Sequence, residues 1–306
     1  MIQFKNILVG IDARQPDAGT LNQAATLAEQ HEAKIKLLDS VPEFSWLSKA
    51  FTPRHDDLLK MLVQETTERL EAVAVELGSK GFDVSICCRT GPQSEALIHE
   101  AHESSHDLVM RVAKGRNSRR GTFIGATGMR LLRKCPKPLW LTKPGETKPA
   151  SRVMAAVDAT PEDEDHGRLN ERILNMATSV CPDRNNLHVV YAWEVFGETI
   201  FRAKMPEDEF AHLEKEFVRK NAASFQSLLS QQGLDPESPN VFMEHGDPVL
   251  KIPELLKAHQ IDLLVMGSVA RTGIPGMLMG NTAEALVQQI DCGLLTIKPD
   301  SFESPA

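Results

Sequence analysis

The stretch that decides the fold is Asp-Leu-Leu-Val-Met-Gly-Ser at residues 262–268. Its short apolar run, followed by small residues, is typical of a strand that is buried on both faces of a parallel sheet. A closely similar stretch, Asp-Leu-Val-Met-Arg-Val, occurs at residues 107–112. The chain therefore presents the same kind of element twice.

The repetition extends along the whole chain. Residues 6–12 (Asn-Ile-Leu-Val-Gly-Ile-Asp) match residues 152–158 (Arg-Val-Met-Ala-Ala-Val-Asp). The Lys-Pro pairs that begin at Lys143 and Lys298 lie 155 residues apart. A repeat of roughly 150 residues is long enough to be a complete domain. The sequence therefore predicts a tandem duplication of one domain.

Each repeat alternates short apolar runs with amphipathic stretches. This alternation favours a parallel sheet that is covered by helices on both faces. We predict two tandem Rossmann-like α/β domains at residues 1–146 and 151–306, each with a five-stranded parallel sheet, joined by a linker at 142–151. The predicted strands are 7–11, 34–38, 83–88, 108–112, 139–141, 153–157, 187–191, 240–244, 263–266 and 294–297. The predicted helices are 20–31, 58–77, 94–104, 125–134, 170–179, 207–232, 249–260 and 282–289.

The bulk composition limits the possible classes of function. The net charge of −8 argues against general binding to nucleic acids or anionic membranes, which requires a basic surface. No apolar run approaches the roughly 20 residues of a membrane span, and the chain opens with a strand instead of a leader segment. The five cysteines lack the spacing of a disulfide framework, which suits a reducing compartment. We therefore expect a cytoplasmic protein without a specific nucleic-acid partner.

The loop after the fourth strand of the second repeat is the best candidate for a ligand site, because doubly wound sheets bind ligands beyond the carboxyl ends of their strands. Glycines here allow a ligand to approach the main chain, and the helix that starts near residue 281 offers free amides to an anion such as phosphate. The loop matches neither the Walker A pattern nor the dinucleotide fingerprint. The alternative is a glycine-rich connection that ends in a helix cap. The candidate residues of this loop are Gly267, Ser268, Ala270, Gly280, Asn281 and Thr282.

This pattern resembles the universal stress protein family. The resemblance rests on Met-Gly-Ser at 266–268, Arg-Thr-Gly at 271–273, Gly-Asn-Thr-Ala-Glu at 280–284 and a final strand before Lys-Pro. It covers both repeats, as in the tandem members of the universal stress protein E type. It implies the family's fold, which is similar to that of adenine nucleotide alpha hydrolases. It also implies dimers that pair through the last strand, so that residues 139–141 and 294–297 could pair within one chain as an internal pseudo-dimer.

The resemblance also implies ligand-binding residues. ATP-binding members carry Gly-x2-Gly-x9-Gly-(Ser/Thr) in this loop, and an acidic residue after strand one approaches the sugar of the nucleotide. Gly267 and Gly280 fit the first and third glycines, and Asp158 fits the acidic residue. Ala270 stands at the second glycine position and Asn281 at the hydroxyl position. These departures predict weak ATP binding, because the methyl group of Ala270 crowds a phosphate.

The corresponding loop of the first repeat predicts a weaker site. At the first glycine position we place Arg111, with Lys114 at the second and Gly125 at the third, and Asp12 matches the acidic residue after strand one. With Arg116, Arg119 and Arg120 the loop is strongly basic, which suits a clamp for phosphate. The alternative is a solvated loop or a set of internal salt bridges.

Other groups of reactive residues have ordinary explanations. His99, His102 and His106 have helical spacing that could present two imidazoles to zinc. The apolar residues of that helix lie on its other side, so we expect the three histidines to face solvent instead. Cys87 and Cys88 lie in a predicted strand, and the acidic residues at 163–165 are expected to be a solvated loop. No nucleophile elbow or catalytic pair is present.

The sequence therefore leads to a stress-response protein that is not an enzyme. It is expected to bind a small phosphate-bearing molecule, with ATP or another nucleotide as the ligand that the resemblance implies. We expect no metal and no catalytic residue, and a homodimer of the full chain is compatible with the sequence. Two alternatives remain open. One is a carrier or sensor of another, partly apolar ligand, and the other is a protein-interaction scaffold without a nucleotide.

Overall fold

A computed structural model of the chain describes residues 2–43, 55–114, 124–160, 164–195, 197–268, 279–302 and 304. The chain forms two compact units. The first unit contains residues 3–150 together with 293–306, and the second contains residues 1–2 and 151–292.

The first unit is an α/β sheet whose strand order is β3-β2-β1-β4-β5-β10. Its strands are parallel except for β10, which runs antiparallel to β5. Strand order reverses at β1, which lies between β2 and β4, and this reversal opens a crevice at the carboxyl ends of β1 and β4. Its elements are β1 (Asn6–Gly10), α1 (Ala18–His31), β2 (Lys34–Val41), α2 (His55–Ser79), β3 (Val84–Thr90), α3 (Gln93–Glu103), β4 (Leu108–Val112), α4 (Ala126–Lys134), β5 (Leu139–Thr142) and β10 (Gly293–Ile297).

The central strands of this sheet form its core. Ile7, Leu8 and Val9 of β1 are fully buried, as the continuous apolar run predicts for a strand with helices on both sides. Helix α1 starts at Asp17, whose side chain accepts a hydrogen bond from the amide of Thr20 at 2.8 Å. The loop after β1 is thereby held close to the carboxyl edge of the sheet.

The second unit repeats this arrangement with four parallel strands in the order β9-β6-β7-β8. Strand order reverses at β6, so the second crevice lies at the carboxyl ends of β6 and β9. Its elements are β6 (Val153–Ala156), α5 (Glu164–Val180), a 3-10 turn (Arg184–Asn186), β7 (Leu187–Trp193), α6 (Glu198–Lys204), α7 (Glu207–Gln231), β8 (Val241–His245), α8 (Pro248–Ala258), β9 (Leu263–Gly267) and α9 (Asn281–Gln289).

The predicted pairing of the two strands that precede Lys-Pro is confirmed. Leu294 pairs with Leu141, Leu295 with Trp140 and Thr296 with Leu139, in antiparallel register. Each of these would otherwise be an edge strand with unpaired amides and carbonyls, and pairing satisfies both. The last strand of the second repeat is therefore part of the first unit.

The α/β class with a mostly parallel sheet is confirmed, and most predicted elements lie within two or three residues of their observed bounds. Helix α5 is an exception, because it starts six residues before its predicted position. Helix α6 was not predicted at all. It has seven residues and starts after Gly197, which has a φ of 75° and no side-chain capping bond. Within the described residues, the structure contains no helix that is both long and apolar enough to span a membrane.

Candidate functional site

The register of the two sheets corrects the match between the loops. Arg111 pairs with Gly10 on β1, whereas Met266 pairs with Ala156 on β6. Since Gly10 and Ala156 occupy the same place in the two repeats, Arg111 is the counterpart of Met266 and not of Gly267. The residue at the first glycine position of the first repeat is therefore Val112, the next one along the chain.

The same register changes the second glycine position. Counting on from Val112 gives Gly115 at that position instead of Lys114, and Gly125 stays at the third. The amide of Gly125 donates to the carbonyl of Ala113 at 2.9 Å, just as the amide of Gly280 donates to the carbonyl of Ser268 at 3.0 Å. Each repeat thus keeps two of the family's three glycines, but a different two.

In the second unit, the end of β9 and the start of α9 meet through this bond from Gly280 to Ser268. Ser268 is completely buried, and its hydroxyl has no hydrogen-bond partner among the described residues. Helix α9 starts after Gly280, which has no side chain to cap the free amides of the first turn. A buried hydroxyl and an uncapped helix start therefore lie beside the same backbone hydrogen bond.

Asp158 follows the end of β6, the strand at which the strand order reverses. Its backbone is fixed by Asn170 of α5, which accepts from the Asp158 amide at 3.0 Å and donates to the Asp158 carbonyl at 2.6 Å. Its carboxylate accepts a bond from the hydroxyl of Thr160 at 2.8 Å. Asp158 is half-buried, so its carboxylate stays within reach of a polar group in the crevice.

The side of the second crevice toward β7 is formed by a chain of hydroxyl and amide groups. The hydroxyl of Tyr191 donates to Asn221 at 2.8 Å and lies 3.1 Å from the hydroxyl of Thr160. Tyr191 and Asn221 are buried, and this chain links α7 to the loop that carries Asp158. The carboxylate is therefore positioned by a neutral network.

The remaining predicted residues of the second crevice differ in their surroundings. A Cβ atom on Gly267 would lie 3.1 Å from Leu169 Cδ2, so this glycine allows the close packing of α5. Asn281 and Thr282 are exposed in the first turn of α9, where they can reach a ligand. Ala270 lies outside the described residues.

The first crevice contains a charged network at the corresponding positions. Asp39 is buried at the end of β2 and accepts bonds from the amide of Ala13 at 2.7 Å and from Gln93 Nε2 at 3.0 Å. Gln93 in turn accepts a bond from Arg111 Nε at 2.7 Å and donates to the carbonyl of Ile11 at 2.6 Å. Arg111 thus lies within the crevice, held by its own neighbours.

The electrostatics of this network are those of a partly desolvated ion cluster. Burial raises the pKa of Asp39, although hydrogen bonds from the amides of Ala13 and Ser40 oppose that shift. Burial lowers the pKa of Arg111, and the nearby carboxylates of Asp39 and Asp12 oppose this change. The positive charge of Arg111 is therefore already balanced by two carboxylates from the same unit.

Asp12 and the start of α4 complete the first crevice. Asp12 is exposed and accepts a bond from the amide of Arg14 at 3.0 Å. Gly125 precedes α4 without a side-chain cap, as Gly280 does for α9. Ala113 stands where the second unit has Ser268, so the first crevice has no matching hydroxyl. Of the predicted basic loop, residues 115–123 lie outside the described residues.

The prediction that three histidines lie together on a solvent-facing helix is wrong for one of them. Helix α3 ends at Glu103, and His106 is buried beyond it with Nε2 3.5 Å from Glu100. His99 and His102 are exposed, and His99 contacts Glu103 at 2.8 Å. The three imidazoles therefore do not share one face that could hold a metal.

Glu100 is a buried charged residue that the sequence analysis did not single out. Its carboxylate contacts Lys36 at 2.8 Å and Arg89 at 2.7 Å. Burial raises the pKa of Glu100, but the bonds from these two cations outweigh it and lower the pKa to about 2. The half-buried thiol of Cys87 also lies 3.8 Å from this carboxylate, and burial raises the pKa of Cys87.

Comparisons with known proteins agree with the duplicated architecture. The sequence pattern of the universal stress protein family matches residues 3–143 and again residues 150–298. The chain is 27% identical over 311 residues to Universal stress protein E of Escherichia coli (strain K12), and the alignment covers 100% of this chain and 97% of that protein.

Solved structures show the same fold over nearly the whole chain. A protein of unknown function from Pseudomonas aeruginosa PAO1 superposes with a TM-score of 0.74 at 22% identity, covering 97% of this chain and 93% of that one. A universal stress protein from Archaeoglobus fulgidus DSM 4304 superposes with a TM-score of 0.66 at 15% identity, covering 97% of this chain and 99% of that one. The tandem arrangement therefore recurs in complete solved chains.

Proposed function

Because the chain belongs to the universal stress protein family, we propose that it is a tandem member that binds one small phosphate-bearing ligand in the crevice of its second unit. The ligand is a nucleotide or a molecule with similar phosphate chemistry. The protein acts in the stress response through this binding and not as an enzyme. We place it in the cytoplasm, in keeping with its five free cysteines.

The observation that carries the proposal is the Ser268 hydroxyl, which has no hydrogen-bond partner among the described residues, beside the uncapped start of α9. A buried hydroxyl without a hydrogen bond costs about 1–3 kcal/mol, and a ligand oxygen would remove that cost. The free amides at the start of a helix favour an anion. Both groups lie beside the same backbone hydrogen bond, so we expect a single phosphate group to contact both.

Asp158 supports a ligand that carries hydroxyl groups next to its phosphate. A half-buried carboxylate that is held by Thr160, on a backbone fixed by Asn170, can accept hydrogen bonds from neighbouring hydroxyls of a sugar. This is the arrangement of a recognition residue and not that of a general base.

The test is a calorimetric titration of the full chain with ATP, AMP and inorganic phosphate. We expect Asp158→Asn to weaken binding of the best nucleotide at least tenfold, which corresponds to about 1.4 kcal/mol. The matched control, Asp12→Asn at the same position of the first repeat, should leave the affinity within twofold. Equal losses in both variants would contradict the proposal.

Native mass spectrometry of freshly purified protein separates the alternatives. A bound mass without phosphate would favour a carrier or sensor of another ligand. A chain that carries no ligand and binds none of the three titrants would favour a protein-interaction scaffold. Either result would contradict the proposal that the ligand carries phosphate.

A further inference from the structure

We propose that the second unit carries a divalent metal site formed by Glu198, Glu214 and His245, suited to zinc or a metal of similar ligand preference. Glu198 starts α6, Glu214 lies on α7, and His245 ends β8. One ligand atom from each residue lies within 4.8 Å of the other two. Two consecutive helices and the end of a strand thus bring one imidazole and two carboxylates to a common point.

The distances suit a small ion after minor adjustment. Zinc binds imidazole nitrogen and carboxylate oxygen at about 2.0–2.2 Å, which places neighbouring ligand atoms of a tetrahedral site roughly 3.5 Å apart. Nε2 of His245 and Oε2 of Glu198 are already 3.0 Å apart. Rotation of the Glu214 side chain would bring its oxygen to the same spacing. Since His245 is 40% exposed, a fourth position stays open to water or another ligand.

Arg202 holds the two carboxylates in place without using all their oxygens. Its Nε contacts Oε1 of Glu198 at 2.9 Å, and its Nη2 contacts Oε1 of Glu214 at 3.3 Å. Its guanidinium is itself fixed over the ring of Phe210 at 4.2 Å. Such hydrogen bonds from outside the ligand set orient ligating carboxylates in metal proteins. Two carboxylates and one guanidinium leave a net charge of −1, which attracts a cation.

The imidazole is oriented as well. The ring of His245 stacks on Trp193 with 4.4 Å between centroids and 25° between planes. This stacking directs Nε2 toward Glu198, and a metal ion on Nε2 takes the place of the proton in that contact. The site uses none of the residues of the Asp158 crevice, so it stands whether or not the ligand proposal does.

The experiment is a calorimetric titration of the full, chelator-treated chain with zinc chloride. We expect one equivalent of zinc to bind, and His245→Gln to weaken that binding at least tenfold. His99→Gln is the matched control, because His99 is also an exposed histidine in contact with a glutamate. It should bind zinc as the parent does. Absence of zinc binding by the parent, or equal binding by the parent and His245→Gln, would overturn the site.

A second variant and a spectrum distinguish the loss of a metal ligand from misfolding. Glu214→Gln keeps the size of the side chain and should also lose zinc affinity while its circular dichroism stays that of the parent. X-ray absorption at the zinc edge should show nitrogen and oxygen ligands including one imidazole. A sulfur shell would place the metal on cysteines instead and would refute the proposal.

Discussion

The two crevices of this chain occupy the same place in two copies of one fold, yet they are built from opposite chemistry. The first contains the charged chain Asp39–Gln93–Arg111. The register of the strands places Tyr191 and Met266 at the positions of Asp39 and Arg111, and α8 begins with Pro248 as α3 begins with Gln93. The first crevice satisfies its charges internally, whereas the second leaves the Ser268 hydroxyl without a partner among the described residues. This difference supports the proposal that the second copy binds a ligand while the first does not.

The glycines of the two loops have also diverged. The second repeat keeps glycine at 267 and 280 but has Ala270 between them, and the first repeat has Val112, Gly115 and Gly125. Gly267 also makes room for Leu169 of α5, so its loss would move a helix as well as the loop. Val112 at the matching place of the first repeat shows that the first unit does not require that close approach.

The largest effect is expected from removing β10 from the first unit. A fragment of residues 1–150 exposes the edge of β5, whose residues are buried in the full chain, and it should dimerise or aggregate. The same fragment with residues 293–306 attached through a flexible linker should dimerise or aggregate less, because the edge of β5 is paired again. Sedimentation velocity compares the two, and a soluble monomer of residues 1–150 would show that β10 is dispensable.

Among the single substitutions, placing the charge of Arg111 at the matching position of the second unit should destabilise the protein most. Met266 is buried, and Tyr191 stands at the position where the first unit has Asp39. Met266→Arg therefore buries a guanidinium without the counterpart of Asp39, which we expect to lower the free energy of unfolding by about 3–5 kcal/mol. Urea unfolding measures the change, and a loss below about 1 kcal/mol would mean that the second crevice tolerates a charge as the first does.

The reverse exchange should be milder. Arg111→Met leaves Asp39 with its amide bonds from Ala13 and Gln93 but without the nearby cation. We expect a loss of about 2–3 kcal/mol, within the range of hydrogen bonds to charged groups. The same urea titration applies, with Arg14→Met as the exposed control. A variant that is more stable than the parent would mean that the charged network does not stabilise the first unit.

Glu100 gives a smaller, pH-dependent difference between the units. Its counterpart in the second repeat is Leu255, so only the first unit has this carboxylate. The folded pKa is about 2 and the ordinary value 4.5, so the ionised group stabilises the fold above pH 4.5 and loses this effect as the pH falls toward 2.

Glu100→Gln tests this dependence. We expect it to cost about 1.5 kcal/mol at pH 7, at the lower end for charged hydrogen bonds because Lys36 and Arg89 can reach water. Thermal unfolding of parent and variant should converge between pH 4.5 and pH 2. A difference that stays constant over that range would assign the loss to packing instead of charge.

Most of the fold could be predicted from the sequence because its strands are short apolar runs and its repeat is long. The loop match failed at one residue. Met110 and Met266 look alike, but Asp107 accepts from the amide of Asn6 at 2.8 Å and Asp262 from the amide of Arg152 at 2.9 Å. These two aspartates fix the register and shift Met110 onto Val265.

The parts of the site that escaped prediction depend on contacts between distant residues. Gln93 joins Asp39 to Arg111 across three elements, and no local pattern marks it. Helix α6 is short, and Ile200 and Phe201 are exposed on it, so its apolar residues do not follow the period of a packed helix. His106 was expected in solvent because the helical period was extended past Glu103, where α3 ends.

The most direct test of the asymmetry is hydrogen exchange of the full chain with and without a saturating nucleotide, read by mass spectrometry over the two helix starts. We predict slower exchange with ligand in the first turn of α9, at residues 281–284, because its free amides would then be bound. The first turn of α4, at residues 126–129, should exchange at the same rate with and without ligand. Equal protection of both turns, or protection of α4 alone, would contradict the assignment of the ligand site to the second unit.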